Sequence, residues 1–117
     1  MKQDLHYDMK VRIMGEEKAF GPGVAQLLKG IEEMGSMQKA AEKMGLSYSK
    51  AWKMMKTAEQ ELGFALTERS SGGKDGGGSI VTAEGREMMH RYGNFLSALQ
   101  TEADRLFAFY FHREGEK

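Results

Sequence analysis

Hydroxyl and amino side chains gather on one face of the stretch that follows Ser47. At about 100° per residue, a helix beginning there brings these groups together, opposite its apolar residues. The polar face consists of Ser49, Lys50, Lys53, Lys56, Thr57 and Gln60. Ammonium groups pair with phosphates, and hydroxyls donate hydrogen bonds to them. This face of the helix is therefore suited to binding a polyanion.

The start of this helix adds a second feature. Ser47 can cap the helix, which leaves free amides and the positive end of the helix dipole for an anion such as phosphate. Tyr48, Ser49, Lys50 and Lys53 are then best placed to reach the edges of bases. Lys53 could bind guanine or simply hold a phosphate.

Positive charge is concentrated around the same stretch. The chain is neutral overall, with 17 basic and 17 acidic residues. Residues 37–57 nevertheless contain five lysines and a single acid, Glu42, whereas residues 80–117 contain five bases and six acids. A nucleic-acid-binding protein needs a basic contact face, not a basic chain. From charge alone, chance lysines on solvated helix faces remain an equal alternative.

Two short helices joined at a glycine are predicted to position the polar face. Ser36 can cap a helix over residues 36–44, Gly45 can end it, and Ser47 can cap the next helix, which runs to about Leu62. The small or apolar side chains that let the two helices pack are Ala40, Ala41, Met44, Leu46 and Ala51. This arrangement is typical of a helix-turn-helix. A helical hairpin of an ordinary bundle, with no DNA function, remains an alternative.

Upstream of this pair, the pattern predicts a β-hairpin and a first helix. Tyr7–Met14 reads as a strand with Met9, Val11 and Ile13 on one face, and a second strand ends at Phe20. Pro22 suits the first turn of the helix that follows, and Gly35 can end it. The apolar face of that helix is formed by Val24, Leu27, Leu28, Ile31 and Met34.

A glycine-rich segment follows the third helix. SSGGKDGGGS, residues 70–79, lies between a short strand at 66–69 and a strand that resumes at Ile80. A winged helix has its hairpin wing at this place in the chain, so residues 66–82 are predicted to form a wing with Lys74 near its tip. A flexible surface loop is the alternative. The segment is not a P-loop, because it lacks the upstream glycine spacing and a Ser or Thr after the lysine.

The last predicted helix, residues 83–112, carries more apolar surface than this small domain needs. Thr82 can cap it. Its apolar stripe consists of Met88, Tyr92, Phe95, Leu99, Leu106 and Tyr110. Because an exposed stripe usually marks an interface, we interpret this helix as a homodimerisation helix. The alternative is that it folds back on its own domain.

Several classes of protein are disfavoured by composition. The chain has no cysteine, and its three histidines are scattered without metal-ligand spacing. No serine has a visible histidine partner, so we expect neither an enzyme nor a cofactor or metal site. No apolar run is long enough for a signal peptide or a membrane span. We expect a cytoplasmic protein without a membrane partner.

The motifs described above resemble a known family. GLSYSKAW (residues 45–52), LTERSSGGKDGGGS (residues 66–79) and VTAEG (residues 81–85) look like the DNA-binding domain of the ModE family. Those proteins are molybdate-responsive bacterial regulators related to the LysR-type winged helix. The resemblance covers roughly residues 8–110, and it includes the GPGVAQLLKGIEEMGSM segment that starts at Gly21.

The resemblance implies one winged helix-turn-helix domain over residues 1–117, mainly α with small β. It implies a homodimer that binds double-stranded DNA at a pseudo-palindromic operator, in the nucleoid of a bacterial or archaeal cell. The resemblance also implies which residues face DNA: Ser47, Tyr48, Ser49, Lys50, Lys53 and Lys74. Family members continue into small β-barrels that bind molybdate, which this chain lacks, so we do not expect it to bind molybdate. A stand-alone family member and a truncated chain both fit.

Two other classes of function remain open at this stage. The scaffold could be a protein-interaction module that uses its long helix to bind a partner, although such a module does not need the row of lysines. It could also be a small oxyanion sensor, although no cluster of ligands supports one.

Overall fold

Four helices and two small hairpins make up the described part of the chain. The computed structural model describes residues 4–70 and 78–112. The elements are β1 (Ile13–Met14), β2 (Lys18–Phe20), α1 (Pro22–Met34), α2 (Met37–Lys43), α3 (Tyr48–Leu62), β3 (Thr67–Arg69), β4 (Ser79–Val81) and α4 (Ala83–Phe111). Strand β1 pairs with β2, and β3 pairs with β4, both antiparallel. The predicted fold class, mainly α with small β in a winged helix-turn-helix, is confirmed.

Side-chain caps set the beginnings of three helices where the sequence predicted them. The hydroxyl of Ser36 accepts from the amide of Lys39, and that of Ser47 accepts from the amide of Lys50, both at 3.1 Å. Thr82 accepts from the amide of Gly85 at 2.8 Å. Each cap satisfies an amide that has no partner within its helix, which is worth about 1 kcal/mol.

The core lies between α1, α3 and the inner sides of the hairpins. Its fully buried large side chains are Phe20, Val24, Leu27, Leu28, Ile31, Met55 and Leu66. Alanines fill the closest approaches between helices: Ala40 and Ala41 on α2, and Ala51 and Ala58 on α3. The predicted apolar face of α1 is therefore the centre of the core.

The turn between α2 and α3 depends on Gly45. Its φ of 74° lies in the left-handed region, which side chains with a Cβ rarely adopt. The amide of Leu46 then donates to the carbonyl of Ala41 at 2.9 Å, which closes the turn, and the Leu46 side chain packs half-buried against the core. This places Ser47 at the start of α3.

The crossing of α1 and α2 depends on another glycine. A Cβ on Gly30 would lie 2.8 Å from the Cβ of Ala40, so the backbone of α1 packs directly against the Ala40 methyl group at this point. A larger residue on either side would push α2 outward, and α3 would move with it.

Two glutamates of α3 hold the hairpins against that helix. The carboxylate of Glu59 accepts from the amides of Leu66 and Thr67, at 2.7 and 3.3 Å, just where β3 begins. The carboxylate of Glu61 accepts from the amide of Glu16, in the turn between β1 and β2, at 2.8 Å. On the far side of the β3–β4 hairpin, the amide of Ser79 donates to the carbonyl of Gly35 at 2.9 Å.

The prediction of a strand over Tyr7–Met14 was wrong in length. Only Ile13 and Met14 pair with β2, which is three residues long and offers no further edge. Upstream, the chain runs along α4. The carbonyl of Val11 accepts from the hydroxyl of Tyr92 at 2.7 Å, and the Tyr7 hydroxyl donates to the carboxylate of Asp104. Met9 is exposed, so the expected apolar face of the strand is only partly formed.

The two halves of α4 have different surroundings. Gly85, Met88, Met89, Tyr92 and Leu96 pack against the core, so the first half does fold back on its own domain. Tyr92 is 4% exposed and stacks edge-on against Phe20, and its burial raises the pKa of its phenol. The prediction that Tyr92 lies on an exposed stripe of this helix is therefore wrong. Beyond Leu96 the helix leaves the core, and among the described residues the N-terminal segment runs along it.

Alanine substitutions at two helical glycines, Gly30 and Gly93, should change the free energy of unfolding in opposite directions. We expect Gly30→Ala to lower the free energy of unfolding by about 1–3 kcal/mol, because the new methyl group overlaps Ala40. Gly93→Ala, where a Cβ meets nothing within 4 Å, should raise it by about 0.4–1 kcal/mol. Urea unfolding at one chain concentration measures both. Equal effects of the two substitutions would contradict the tight crossing.

The anchor at Glu59 can be tested in the same assay. We expect Glu59→Ala to lower the free energy of unfolding by about 1–3 kcal/mol, since the amides of Leu66 and Thr67 lose their acceptor. Gln60→Ala, at an exposed neighbour on the same helix, is the matched control and should change it by less than about 0.5 kcal/mol. No difference between the two variants would show that the carboxylate is dispensable.

Candidate nucleic-acid interface

The first turns of α3 form an exposed, positively charged surface. The helix is aimed outward because its apolar face, with Ala51, Met55 and Ala58, is held in the core. The exposed side chains on the other side are Ser47, Tyr48, Ser49, Lys50 and Lys53. The structure therefore brings together the five residues that the sequence placed at this end of the helix.

The ammonium groups of this surface are available to a ligand to different degrees. Within residues 4–70 and 78–112, neither Lys50 nor Lys53 has an ion-pair partner. Lys56, by contrast, lies 3.3 Å from a carboxylate oxygen of Glu59 and 5.5 Å from the centroid of the Trp52 ring. Its charge is already partly balanced inside the chain. Thr57 is half-buried and lies further along the helix.

A cleft of about 200 Å³ separates α3 from the β3–β4 hairpin. Tyr48 and Trp52 line it from the helix, and Arg69 and Ser79 line it from the strands. Trp52 is 47% exposed. The sequence analysis did not single out Arg69, although the register that pairs Arg69 with Ser79 follows from the strands flanking the glycines.

The predicted wing is present at its base. Thr67, Glu68 and Arg69 pair with Val81, Ile80 and Ser79, and the amide of Ser70 donates to the carbonyl of Gly78 at 3.0 Å. The hairpin lies beside α3 because Glu59 anchors its first strand there. Lys74, the residue predicted for the tip, lies outside the described residues.

The residues predicted for dimerisation fall into two groups. Met88 is half-buried and packs on the core, as Tyr92 does. Phe95, Leu106 and Tyr110 are 47%, 42% and 69% exposed. Leu99 is half-buried. Phe109, which the sequence reading left out, is 74% exposed, and its i+3 spacing from Leu106 could have revealed it.

Other kinds of site find no support in the described part of the chain. Among those residues, no group of three or more His, Asp or Glu side chains could hold a metal ion. No helix there is long and apolar enough to cross a membrane.

Known proteins share this architecture. A profile of the bacterial regulatory helix-turn-helix proteins of the lysR family matches residues 25–86, more than half of the chain. Among solved structures, the CbnR DNA-binding domain in its complex with DNA has a TM-score of 0.58 and 25% identity. It covers 74% of this chain and 94% of that one.

Curated relatives are similar over the same region. The DNA-binding transcriptional dual regulator ModE of Escherichia coli (strain K12) is 35% identical over 89 residues, which are 75% of this chain and 34% of that protein. The molybdenum transport protein ModE of Azotobacter vinelandii is 36% identical over 81 residues, 69% and 30% of the two chains. This chain thus spans about a third of the length of these relatives.

The resemblance to ModE that GLSYSKAW and LTERSSGGKDGGGS suggested is confirmed by these relatives. The matched region contains α2, α3 and the β3–β4 hairpin, and it therefore includes the exposed surface at the start of α3. The chain belongs to the lysR family of bacterial regulatory helix-turn-helix proteins.

Proposed function

We propose that this chain is a sequence-specific, DNA-binding transcriptional regulator of the ModE type. The observation that carries the proposal is the exposed, serine-capped start of α3, where Lys50 and Lys53 are exposed and have no ion-pair partner among the described residues. A helix presented in this way fits the major groove of B-DNA, while its N-terminus faces a phosphate. The DNA complex of the CbnR domain supports the same use of the fold.

Each residue of the surface has a proposed role. Tyr48, Ser49, Lys50 and Lys53 contact base edges or phosphates, and Ser47 orients the helix through its cap. The further residues assigned to DNA are Lys56, Thr57 and Lys74. We expect Lys56 to contribute less than Lys53, because its ammonium group is engaged by Glu59.

The functional unit is proposed to be a homodimer held through α4. Two recognition helices placed about 34 Å apart, one turn of DNA, would bind the two halves of a pseudo-palindromic operator. The exposed apolar side chains of α4 support this proposal. The protein would act on the nucleoid, in the cytoplasm of a bacterial or archaeal cell, and its role is binding, not catalysis.

Molybdate is not part of the proposed ligand set of this chain. The relative from Azotobacter vinelandii is named a molybdenum transport protein, but the chain spans only about a third of that protein. Calorimetric titration with molybdate tests this point, since heat at a fixed stoichiometry would add an oxyanion site.

The contact surface can be tested by reversing one charge. We expect Lys53→Glu to weaken binding to a duplex selected from a random pool by at least about tenfold at about 0.1 M salt, because a phosphate or guanine contact becomes a repulsion. Lys10→Glu is the matched control. It makes the same change of charge at an exposed position on the N-terminal segment, and should leave affinity within about twofold. Fluorescence anisotropy measures both, and circular dichroism checks the fold.

Two results would count against this proposal. Equal affinities for the Lys53→Glu and Lys10→Glu variants would remove α3 from the interface. If no duplex bound with a salt-dependent affinity, the interaction-module alternative would replace DNA binding.

A further inference from the structure

The side chain of Lys56 lies between two neighbours on its own helix. Its ammonium group is 3.3 Å from a carboxylate oxygen of Glu59 and 5.5 Å from the centroid of the Trp52 ring. The three side chains share one face of α3, because they are spaced by four and three residues. Lys50 and Lys53 have no ion-pair partner among the described residues. The charge of Lys56 is therefore engaged, whereas theirs is available to a ligand.

Glu59 extends this contact to the β3–β4 hairpin. One of its carboxylate oxygens faces Lys56, and the other accepts hydrogen bonds from the amides of Leu66 and Thr67 at 2.7 and 3.3 Å. The side chain of Glu59 is 13% exposed, whereas that of Lys56 is 54% exposed. A charge that is mostly removed from water is costly unless it is paired. In the described part of the chain, Lys56 is the cation that pairs with this carboxylate.

Lys56 also borders the cleft between α3 and the hairpin. Trp52 and Lys56 line this space of about 200 Å³ from the helix, and Thr67, Arg69 and Ser79 line it from the strands. The ring of Trp52 lies beneath the ammonium group and attracts it, as aromatic faces attract cations. A change at Lys56 therefore acts on the place where the helix and the hairpin meet.

A direct contact between Lys56 and DNA would compete with this arrangement. A phosphate that took the ammonium group would leave the carboxylate of Glu59 without its counter-charge. A fully exposed pair could be given up at little cost, but Glu59 is only 13% exposed. Lys50 and Lys53 can meet a phosphate without such a loss, since no described carboxylate holds either of them.

We infer that Lys56 is a positioning residue, which holds the Glu59 carboxylate against the start of β3 and so sets the hairpin beside α3, and that it does not itself bind a phosphate or a base. The inference rests on the proposed DNA binding and specifies the role of one residue assigned to that surface. It explains why this lysine, alone among the three on α3, has both an acidic and an aromatic partner in the described part of the chain.

Hydrogen exchange at the amides of Leu66 and Thr67 tests the link without DNA. We expect Lys56→Met, which removes the charge but keeps an unbranched side chain, to speed exchange of both amides at least about threefold, because their acceptor is held less firmly. Lys53→Met removes the same charge three residues earlier, and should leave both rates within about 1.5-fold. Lys56→Arg restores the charge and should restore slow exchange. The rates are measured by NMR, and equal rates in the two methionine variants would overturn the inference.

The salt dependence of DNA binding separates a positioning role from a phosphate contact. Loss of one phosphate contact makes the slope of log affinity against log salt shallower by about 0.9. We expect Lys56→Met to weaken binding to the selected duplex about three- to tenfold and to leave this slope unchanged, and Lys56→Arg to recover the affinity. A slope shallower by about 0.9 would make Lys56 a phosphate contact. An affinity within about twofold of that of the unmodified chain would also contradict the inference, since the position of the hairpin would not matter for binding.

Failure of the inference can be told apart from failure of the proposed function. If the unmodified chain binds no duplex with a salt-dependent affinity, DNA binding fails, and the exchange rates still decide whether Lys56 holds the hairpin. If the unmodified chain binds, but Lys56→Met changes the salt slope and leaves the amides of Leu66 and Thr67 unaffected, DNA binding stands and the inference is wrong.

Discussion

The contact between Gly30 and Ala40 is the constraint on which the exposed surface at the start of α3 depends. It lets the backbone of α1 pack directly against the methyl group of Ala40 on α2, and this fixes the position of α2 on the core. The turn at Gly45, with its φ of 74°, then turns the chain so that Ser47 begins α3 in the open. Because protein interiors are close-packed, a displacement of α2 would displace α3 as well. The direction in which Lys50 and Lys53 point is therefore set by small residues that lie outside that surface.

Polar anchors on α3 join the remaining elements to this frame. Glu59 holds the start of β3, and Glu61 holds the turn between β1 and β2. The Thr82 hydroxyl donates to the carbonyl of Ala65 at 2.7 Å while it caps α4, so the long helix leaves the domain in a fixed direction. Helix α3 is thus also the helix on which the hairpins are assembled. A protein built in this way holds α3, the base of the β3–β4 hairpin and the start of α4 in one fixed arrangement.

Much of this fold was predictable because its signals are local. Glycine, proline and capping hydroxyls act on the backbone next to them, so the bounds of α1 to α4 were predicted to within one or two residues. The strand predicted over Tyr7–Met14 failed because pairing needs a partner edge, and β2 offers only three residues. Tyr92 was placed on an exposed stripe for a similar reason. Periodicity shows that apolar residues share one face of a helix, but it does not show which neighbouring element buries each of them.

The sequence by itself determined the order of the elements, the capped start of α3 and the row of lysines behind it. These follow from helix periodicity and from the chemistry of single side chains, and neither depends on distant residues. Only the tertiary structure decided how these groups are surrounded. Glu59 and Trp52 are neighbours of Lys56 on α3, but the amides of Leu66 and Thr67 in turn hold the Glu59 carboxylate. The structure also left Lys50 and Lys53 without ion-pair partners among the described residues, and it divided α4 into a half that packs on the core and a half that does not. The anchoring of Glu59 and the division of α4 depend on contacts between separate elements, and a one-dimensional pattern does not contain those contacts.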